Sequence, residues 1–206
     1  YNVLLEGVVA VVALLVCLIA YKVYVITRQR SVGFFSLSFL FIGLGFLTQT
    51  VFSAAILNRL SNACLCGFEY MAFLDRFGMY MSMVLVLAGL VTLVYMTLKV
   101  DNSKILALLY LLSLIGIFAT PVAPYAFFAM LTLFYAFIVL HFVTTYKKNH
   151  SHQTLLLIFA FSLLLIGSLE HFFAMMSQTM YVAGHVFNLL AFILIGAQLL
   201  MVWSSR

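Results

Sequence analysis

The stretch VVAVVALLVCLIA at residues 8–20 decides the fold class. Its residues are all apolar, and it lies within a longer stretch, residues 3–27, that contains only Glu6 and Lys22 as charged residues. A helix needs about 20 mainly apolar residues to cross the hydrocarbon core of a bilayer, whereas a spanning β-strand alternates apolar and polar residues over about ten positions. Because the stretch is long and does not alternate, it predicts a transmembrane helix.

The composition of the whole chain agrees with this interpretation. Of its 206 residues, 67% are hydrophobic and 7% are charged, whereas about a quarter of the residues in a soluble domain are charged. The chain has too few polar side chains to cover a surface in water, which excludes a soluble enzyme, a nucleic-acid-binding domain and a disordered chain. We expect a multi-pass protein of the cell membrane whose main partner is the lipid bilayer, with no nucleic acid partner. Other membrane subunits are further candidate partners.

Seven apolar stretches are candidates to cross the membrane. They are residues 3–27, 32–56, 69–98, 104–120, 124–146, 153–176 and 180–203. Few residues remain for loops, so we predict a single all-α transmembrane domain over residues 1–206, built as a bundle of seven transmembrane helices. Any binding or chemistry must then take place inside this bundle or at its rims.

The basic residues are distributed unequally between the two ends of the predicted bundle. The side opposite to the N-terminus receives Lys22, Arg28, Arg30, Lys99, Lys104, Lys147, Lys148 and Arg206. The side of the N-terminus receives only Arg59 and Arg76. Cytoplasmic loops carry an excess of Lys and Arg, so we predict that the N-terminus lies outside and the C-terminus in the cytoplasm.

A shift of 122 residues aligns the first two predicted helices with the fifth and sixth without a gap. It matches Leu18 with Leu140, Tyr24 with Tyr146, Phe39 with Phe161, Gly45 with Gly167 and Leu47 with Leu169. Parallel three-helix repeats occur in some transporters, and such a repeat would arrange the seven helices as three, one and three. Coincidence is the alternative, because apolar sequences draw on few residue types.

Ionisable and polar residues concentrate in the outer half of the predicted bundle. The candidate site residues are Gln49, Glu69, Asp75, Arg76, Glu170, His171 and His185. A charged side chain at the centre of a membrane helix costs about 2.5–3.5 kcal/mol on insertion scales, so it usually has a partner or lines a wet cavity. Two interpretations stay open. In the first, the contacts are structural and Arg76 pairs with a carboxylate of Asp75, Glu69 or Glu170. In the second, the residues line a ligand-binding pocket that opens to the outside.

Two of these residues are predicted to lie at the same depth. His171 and His185 each stand seven residues from Gln178, near the apex of the hairpin between the sixth and seventh helices, which places both about 10 Å below the turn. We expect the two rings to face each other across the hairpin, with Glu170 or Asp75 close by. The pair forms a candidate metal or proton site together with Glu170.

Soft ligands suggest a more specific alternative. Cys64, Cys66, Met79 and Met175 fall in or beside the outer half, and thiolate, thioether and imidazole ligands suit Cu(I). Copper or another transition metal is therefore a candidate cofactor, although methionine also fills gaps in apolar cores. Haem fits poorly between adjacent helices packed about 8–10 Å apart. Retinal is disfavoured because the last predicted helix contains no lysine for a Schiff base.

Two stretches carry a resemblance to a known class of membrane proteins. The segment from Tyr24 through SVGFFSLSFLFIGLGFL, residues 24–47, resembles the small seven-helix membrane modules of archaea and bacteria, and so does the closing segment YVAGHVFNLLAFILIGAQLL at residues 181–200. The resemblance implies a seven-helix fold. Because some of these modules are sensor domains of histidine kinases, it also implies a sensing role that is passed to a cytoplasmic output domain after the last helix.

The sequence lacks the nucleophile elbow, the phosphate-binding loop, the HExxH motif and the paired-aspartate motif of common enzymes. The leading hypothesis is therefore a non-enzymatic binding or sensing module, or a subunit of a larger membrane complex, with its polar site in the outer half. A small-solute or ion transporter and a copper or other metal-handling protein are the alternatives. A transporter needs a polar path through both halves, and the inner half offers few polar residues beyond Ser, Thr and Asn188.

The predicted orientation is tested with single cysteines near Asn62 and Asn149, in a chain whose native cysteines are replaced. In intact cells, an impermeant thiol reagent should label the cysteine near Asn62 and leave the one near Asn149 unlabelled, because only the first is expected outside. Labelling near Asn149 with protection near Asn62 would reverse the orientation.

Overall fold

Seven α-helices make up the fold in the computed structural model, which describes residues 2–61, 68–98, 102–120, 122–174 and 177–204. They are α1 (Asn2–Thr27), α2 (Arg30–Ser61), α3 (Phe68–Leu98), α4 (Ser103–Phe118), α5 (Ala123–Asn149), α6 (His152–Phe173) and α7 (Gln178–Ser204). These ranges contain no β-strand. We name the end of the bundle at which α1 begins the N-terminal face, and the end at which α1 finishes the C-terminal face.

Six of the helices are long and apolar enough to cross a membrane, and α4 is the exception. The 16 residues of α4 give it a length of about 24 Å, which is shorter than a hydrocarbon core of about 30 Å. The prediction of seven helices is therefore confirmed, but the fourth is an apolar helix below spanning length. The described residues thus contain six helices that are long and apolar enough to cross a membrane.

Several helix bounds differ from those predicted. The second helix begins at Arg30 and continues to Ser61, and the fifth continues to Asn149. The apolar stretches ended earlier because hydrophobicity marks the part of a helix that lies in hydrocarbon. A helix continues beyond that part for as long as its backbone hydrogen bonds can form.

Local residues explain where some helices begin and end. Asn102 caps α4, since its side-chain oxygen accepts the amide of Lys104 at 3.0 Å. Pro124 lies in the first turn of α5, where its missing N–H leaves no hydrogen bond unmade. Lys147 and Lys148 lie in the last turn of α5, where positive charge interacts favourably with the helix dipole.

Six helices form a closed ring, and α4 lies outside it. Around the ring, α1 packs on α2, α2 on α3, α3 on α5, α5 on α6, α6 on α7 and α7 on α1. In the described part of the chain α4 packs only on α3 and α5. The hydroxyl of Tyr110 attaches it to α3, through the Thr92 hydroxyl at 2.5 Å and the Ala88 carbonyl at 3.3 Å. A site shared by many helices can therefore lie in the interior of the ring.

The outward faces of the helices are apolar, as expected for a membrane protein. Leu4, Phe118 and Leu133 are 72%, 64% and 68% exposed, and they belong to a large set of exposed apolar side chains. Soluble monomers rarely expose apolar patches larger than a few hundred Å². The buried residues, in contrast, include polar ones such as Glu6 and Asn188. The exterior thus suits lipid, and polar groups are sequestered within the bundle.

Glycines allow α2 and α3 to pack closely. A Cβ atom at Gly45 would lie 2.6 Å from a methyl of Val86. A Cβ atom at Gly89 would lie 2.6 Å from the Ser38 carbonyl oxygen and 2.6 Å from Ile42. Helices in lipid associate largely through close van der Waals packing at small residues, because water supplies no hydrophobic driving force between them. These glycines therefore set the distance between α2 and α3.

The α1–α2 and α5–α6 turns share their geometry at positions 122 residues apart. Arg28 and His150 are the two non-glycine residues with a positive φ in the described chain, at 54° and 46°. Each donates its amide over 2.8 Å to the carbonyl of a tyrosine four residues earlier, Tyr24 or Tyr146. The helix bounds on either side, Thr27 and Asn149 before the turns and Arg30 and His152 after them, also differ by 122 residues.

The residue pairs matched by this shift have similar surroundings. Phe39 and Phe161 are both fully buried, and Leu18 and Leu140 are both exposed. A Cβ atom at Gly167 would lie 3.0 Å from a carbonyl oxygen of α7, just as one at Gly45 would lie 3.1 Å from a carbonyl oxygen of α3. The α2–α3 and α6–α7 pairs thus use a glycine in the same way.

The close contact of α2 with α3 is tested by Gly89→Ala. The added methyl meets a backbone oxygen, so we expect the free energy of unfolding to fall by about 1–3 kcal/mol. Gly196→Ala is the matched control, because its Cβ would lie 3.5 Å from Val16, an ordinary contact distance. The control should be neutral or slightly stabilising. Equal losses in reversible unfolding from mixed micelles would contradict the packing described.

Candidate functional site

A cavity of about 310 Å³ lies inside the ring, in the half of the bundle next to the N-terminal face. All six ring helices contribute side chains to its wall. Its polar lining residues are Glu6 from α1, Gln49 from α2, Ser82 from α3, Tyr135 from α5, Ser168 and His171 from α6, and Tyr181, His185 and Asn188 from α7. Tyr181, His185 and Asn188 are spaced by four and three residues, which places them on one face of α7.

The two histidines are adjacent, as their equal depth in the sequence predicted. The centroids of the His171 and His185 rings lie 4.6 Å apart, with an angle of 69° between the ring planes. Both side chains are buried, at 6% and 3% exposure. The ring of His171 also stacks on Phe128, at 5.4 Å and 25°. The expectation that the rings face each other across the hairpin is confirmed.

Two polar contacts connect this pair to other groups of the wall. The Tyr181 hydroxyl donates to Oε1 of Glu6, which joins α7 to α1, and the Tyr181 ring lies 4.6 Å from that of His185. The amide nitrogen of Asn188 donates to Nε2 of His171 at 3.3 Å. Since Nε2 accepts, a neutral His171 carries its ring proton on Nδ1.

Several polar atoms in the wall have no hydrogen-bond partner. In the described part of the chain, four buried side-chain atoms are unpaired: Oε2 of Glu6, Nδ1 of His171, and Nδ1 and Nε2 of His185. All four belong to residues that line the cavity. Buried polar groups are nearly always hydrogen-bonded, and an unpaired one costs about 1–3 kcal/mol. Among the described residues, those with unpaired buried polar atoms are thus all found in the wall of this cavity.

Glycines on α6 and α7 make room for this arrangement. A Cβ atom at Gly184 would lie 2.8–2.9 Å from the ring of His171, so that ring rests directly on the backbone of α7. A Cβ atom at Gly167 would lie 2.8 Å from the side-chain oxygen of Asn188. The His171 ring can therefore occupy its position because residue 184 is a glycine, and the Asn188 amide can occupy its position because residue 167 is a glycine.

The remaining wall of the cavity is apolar. Phe127, Phe128 and Leu131 of α5 lie across the ring from α1, and Met83 and Val86 of α3 lie across the ring from α7. The cavity wall thus combines apolar side chains, several of them aromatic, with polar groups. Small-molecule sites have this composition, with mostly apolar lining and a few convergent polar groups.

A layer of large aromatic side chains separates the cavity from the C-terminal half. Phe39, Phe161 and Phe192 are all at most 1% exposed, and Phe39 contacts Phe192 with 5.6 Å between the ring centroids. Phe39 and Phe161 lie seven residues from the cavity residues Phe46 and Ser168 along their helices, about 10 Å farther from the N-terminal face. These three buried rings lie on the side of the cavity that faces the C-terminal half.

The sequence-predicted site residues divide into three groups. Gln49, Met79, His171 and His185 line the cavity. Asp75, Arg76 and Glu170 are not among the lining residues. Cys64, Cys66 and Met175 lie outside the described residues, as does the side chain of Glu69. The structure therefore brings the two histidines together with Gln49 and leaves the predicted carboxylates apart.

The salt bridge predicted for Arg76 does not form with Asp75 or Glu170, and the side chain of Glu69, the third predicted partner, lies outside the described residues. Asp75 and Arg76 are both exposed, and no described carboxylate lies within the 4.0 Å of an ion pair with Arg76. Both residues lie one helical turn nearer to the N-terminal face than Met79. This position lets their charges reach the polar boundary of the bilayer, where no buried partner is required.

The metal set of His171, His185 and Glu170 does not assemble. Among the described residues, no group of three or more His, Cys, Asp or Glu side chains could hold a metal ion. Glu170 directly precedes His171 in α6, so its side chain points about 100° away from that of His171 around the helix. The carboxylate that joins the histidine pair is that of Glu6, through Tyr181.

The sequence interpretation missed Glu6, Tyr181 and Asn188 as site residues. Helical spacing from His185 could have identified the two residues of α7, since one lies four positions before it and the other three after it. Glu6 stood out as the one acidic residue in the first apolar stretch, but its partner lies 175 residues away in the sequence.

A second cleft lies at the C-terminal face, along α1 and α2. The buried Ser36 in its wall donates to the Cys17 carbonyl at 3.1 Å. None of the unpaired buried atoms described above belongs to its lining residues. The two cavities share no lining residue, so they do not form a continuous path.

Comparison of the sequence with models of known protein families gives no match, and neither curated proteins nor solved structures show significant similarity to the chain.

The unpaired state of His185 is tested by its replacement with phenylalanine. His185→Phe removes two unpaired buried nitrogens and keeps a planar ring, so we expect the free energy of unfolding to rise by about 1 kcal/mol or more. Asn188→Leu breaks an existing hydrogen bond and leaves Nε2 of His171 unpaired, so it should lower stability by a similar amount. Unfolding from mixed micelles measures both. A loss of stability in His185→Phe that equals the loss in Asn188→Leu would contradict the unpaired state of His185.

Proposed function

We propose that this chain is a membrane-embedded binding module that holds a small molecule in the cavity between its six ring helices. The observation that carries the proposal is the concentration of unpaired polar atoms. In the described part of the chain, every buried side-chain nitrogen or oxygen without a hydrogen-bond partner belongs to Glu6, His171 or His185. All three residues line this cavity. Natural proteins accept such a loss of stability mainly at functional sites.

The proposal places the cavity on the outer side of the cell membrane. The excess of basic residues at the C-terminal face supports an orientation with that face in the cytoplasm. The N-terminal face, beside which the cavity lies, is then outside. A ligand would enter from the exterior or from the outer leaflet of the bilayer.

We further propose that the bundle is a parallel repeat of two three-helix units, with α4 as the connection between them. The matched turns at Arg28 and His150 support this. So does the order of the ring, since exchanging α1, α2 and α3 for α5, α6 and α7 reproduces every contact between helices of the ring. Under this repeat Gln49 corresponds to His171, and both line the cavity.

Sensing is the role that we favour for this binding module. The aromatic layer of Phe39, Phe161 and Phe192 favours a cavity that holds its ligand over one that passes it across the membrane. The resemblance to seven-helix sensor modules also favours a sensing role. In this role, binding at the ring interior would change the packing of α6 and α7, and α7 would carry that change to the C-terminal face.

Transport of a small solute is the second candidate, because parallel three-helix repeats are characteristic of some transporters. It requires the aromatic layer to open, and it predicts uptake of a bound probe into proteoliposomes. Binding without uptake would favour the sensing module.

The proposed binding is tested with three probes that share one aromatic body: 2-phenylethylamine, 2-phenylethanol and phenylacetate. The full chain is placed in nanodiscs, and binding is followed by saturation-transfer NMR with empty nanodiscs as the blank. We expect saturable binding of at least one probe. Ser82→Phe, which puts a ring into the cavity wall, should weaken that binding about tenfold or more, since a misfit of one group in an apolar pocket changes binding on this scale.

Ser162→Phe is the matched control, because it adds the same ring on α6 at a position that does not line the cavity. It should leave the affinity unchanged. The proposal is contradicted if none of the probes binds the wild-type chain. It is also contradicted if the Ser82→Phe and Ser162→Phe variants bind a probe with equal affinity.

A further inference from the structure

The charges of the cavity wall distinguish between classes of ligand. Glu6 is the one carboxyl group among the lining residues, and these include no Lys or Arg. A ligand carboxylate or phosphate would therefore meet a carboxylate and no fixed positive charge. A ligand cation would meet an opposite charge, in surroundings where electrostatic interactions are stronger than in water.

The hydrogen-bonding capacity of the wall agrees with its charge. Oε2 of Glu6 is an unpaired acceptor, because its partner oxygen Oε1 already accepts from Tyr181. His185 has both ring nitrogens unpaired, and one of the two is an acceptor in the neutral imidazole. Both acceptors belong to residues that contact Tyr181, because Glu6 accepts from its hydroxyl and the His185 ring lies 4.6 Å from its ring. An ammonium group carries three donors on one atom, so it suits a wall that offers more than one acceptor.

The aromatic residues around these acceptors suit the same group. Phe46 lies with its ring centroid 6.2 Å from that of His185, and Phe127, Phe128 and Tyr135 also line the cavity. Cations are attracted to aromatic faces within about 6 Å, and the apolar side can hold a hydrocarbon body. The volume of about 310 Å³ corresponds to roughly ten water molecules at about 30 Å³ each, which sets the scale of the ligand at about that many non-hydrogen atoms.

We infer that the ligand of this cavity is a small primary amine, bound as its ammonium ion between Glu6 and His185 with its apolar body against the phenylalanines of α5. This inference rests on the proposed binding function and names the chemical class that the site selects. The ammonium does not bind Nδ1 of His171, because that nitrogen carries the ring proton when Nε2 accepts from Asn188 and is then a donor.

The three probes test the class directly, because they differ only in the charge and hydrogen bonding of one end. In nanodiscs of neutral lipid, 2-phenylethylamine should bind the wild-type chain about tenfold or more tightly than 2-phenylethanol and phenylacetate, since hydrogen bonds to a charged group are worth about this factor. Glu6→Gln keeps the shape of the side chain and removes its charge. It should weaken binding of the amine about tenfold and that of the alcohol less than about threefold.

Glu170→Gln is the matched control, because it removes a carboxylate from the same half of the bundle at a position that does not line the cavity. It should leave all three affinities unchanged. If phenylacetate or 2-phenylethanol binds more tightly than 2-phenylethylamine, and Ser82→Phe weakens that binding, the ligand is not an amine but the proposed binding function holds. Binding of the amine that Glu6→Gln does not weaken would also overturn it. Absence of binding by every probe would overturn both the amine and the proposed function.

Discussion

The hydrocarbon core of a bilayer contains almost no water, and this constraint determines both the fold and its site. Backbone groups must then pair within the chain, so the segments that enter the core are helices. The outer surface must be apolar, and polar side chains retreat to the interior of the ring. There they need partners in the protein or in a molecule that the protein binds. Glu6, His171 and His185 are the buried residues in the described chain whose polar atoms lack such partners.

Much of the fold follows from this constraint and could be predicted from the sequence. The thickness of the hydrocarbon core fixes the length of a spanning helix, so uninterrupted apolar stretches located all seven helices. Because the loops are short, successive helices run in opposite directions. The depth of a residue in the bundle then follows from its distance in sequence to the nearest loop. His171 and His185 were placed at the same depth in this way, because each lies seven residues from Gln178. Their rings lie 4.6 Å apart.

The members of the site could not all be predicted, because counting gives depth but not rotation about the helix axis. Glu170 and His171 have almost the same depth, yet only His171 faces the cavity. Which helices become neighbours is also a property of the closed ring. The contact of α1 with α7 brings Glu6 to Tyr181 across 175 residues of sequence. A local pattern in the sequence does not contain this contact. The ion pair predicted for Arg76 does not form with Asp75 or Glu170, because exposure of Arg76 at the N-terminal face removes the need for a buried partner.

If the cavity binds a small molecule, the surroundings of the unpaired ring nitrogens of His171 and His185 change when the molecule enters. Solid-state NMR of the full chain in lipid bilayers, with ¹⁵N-labelled histidine, observes those nitrogens themselves. Addition of 2-phenylethylamine should shift the ring signals of His171 and His185 and leave those of His150 and His152, at the C-terminal face, in place. Unchanged signals of the cavity pair at saturating probe, or equal shifts in all four residues, would contradict the claim.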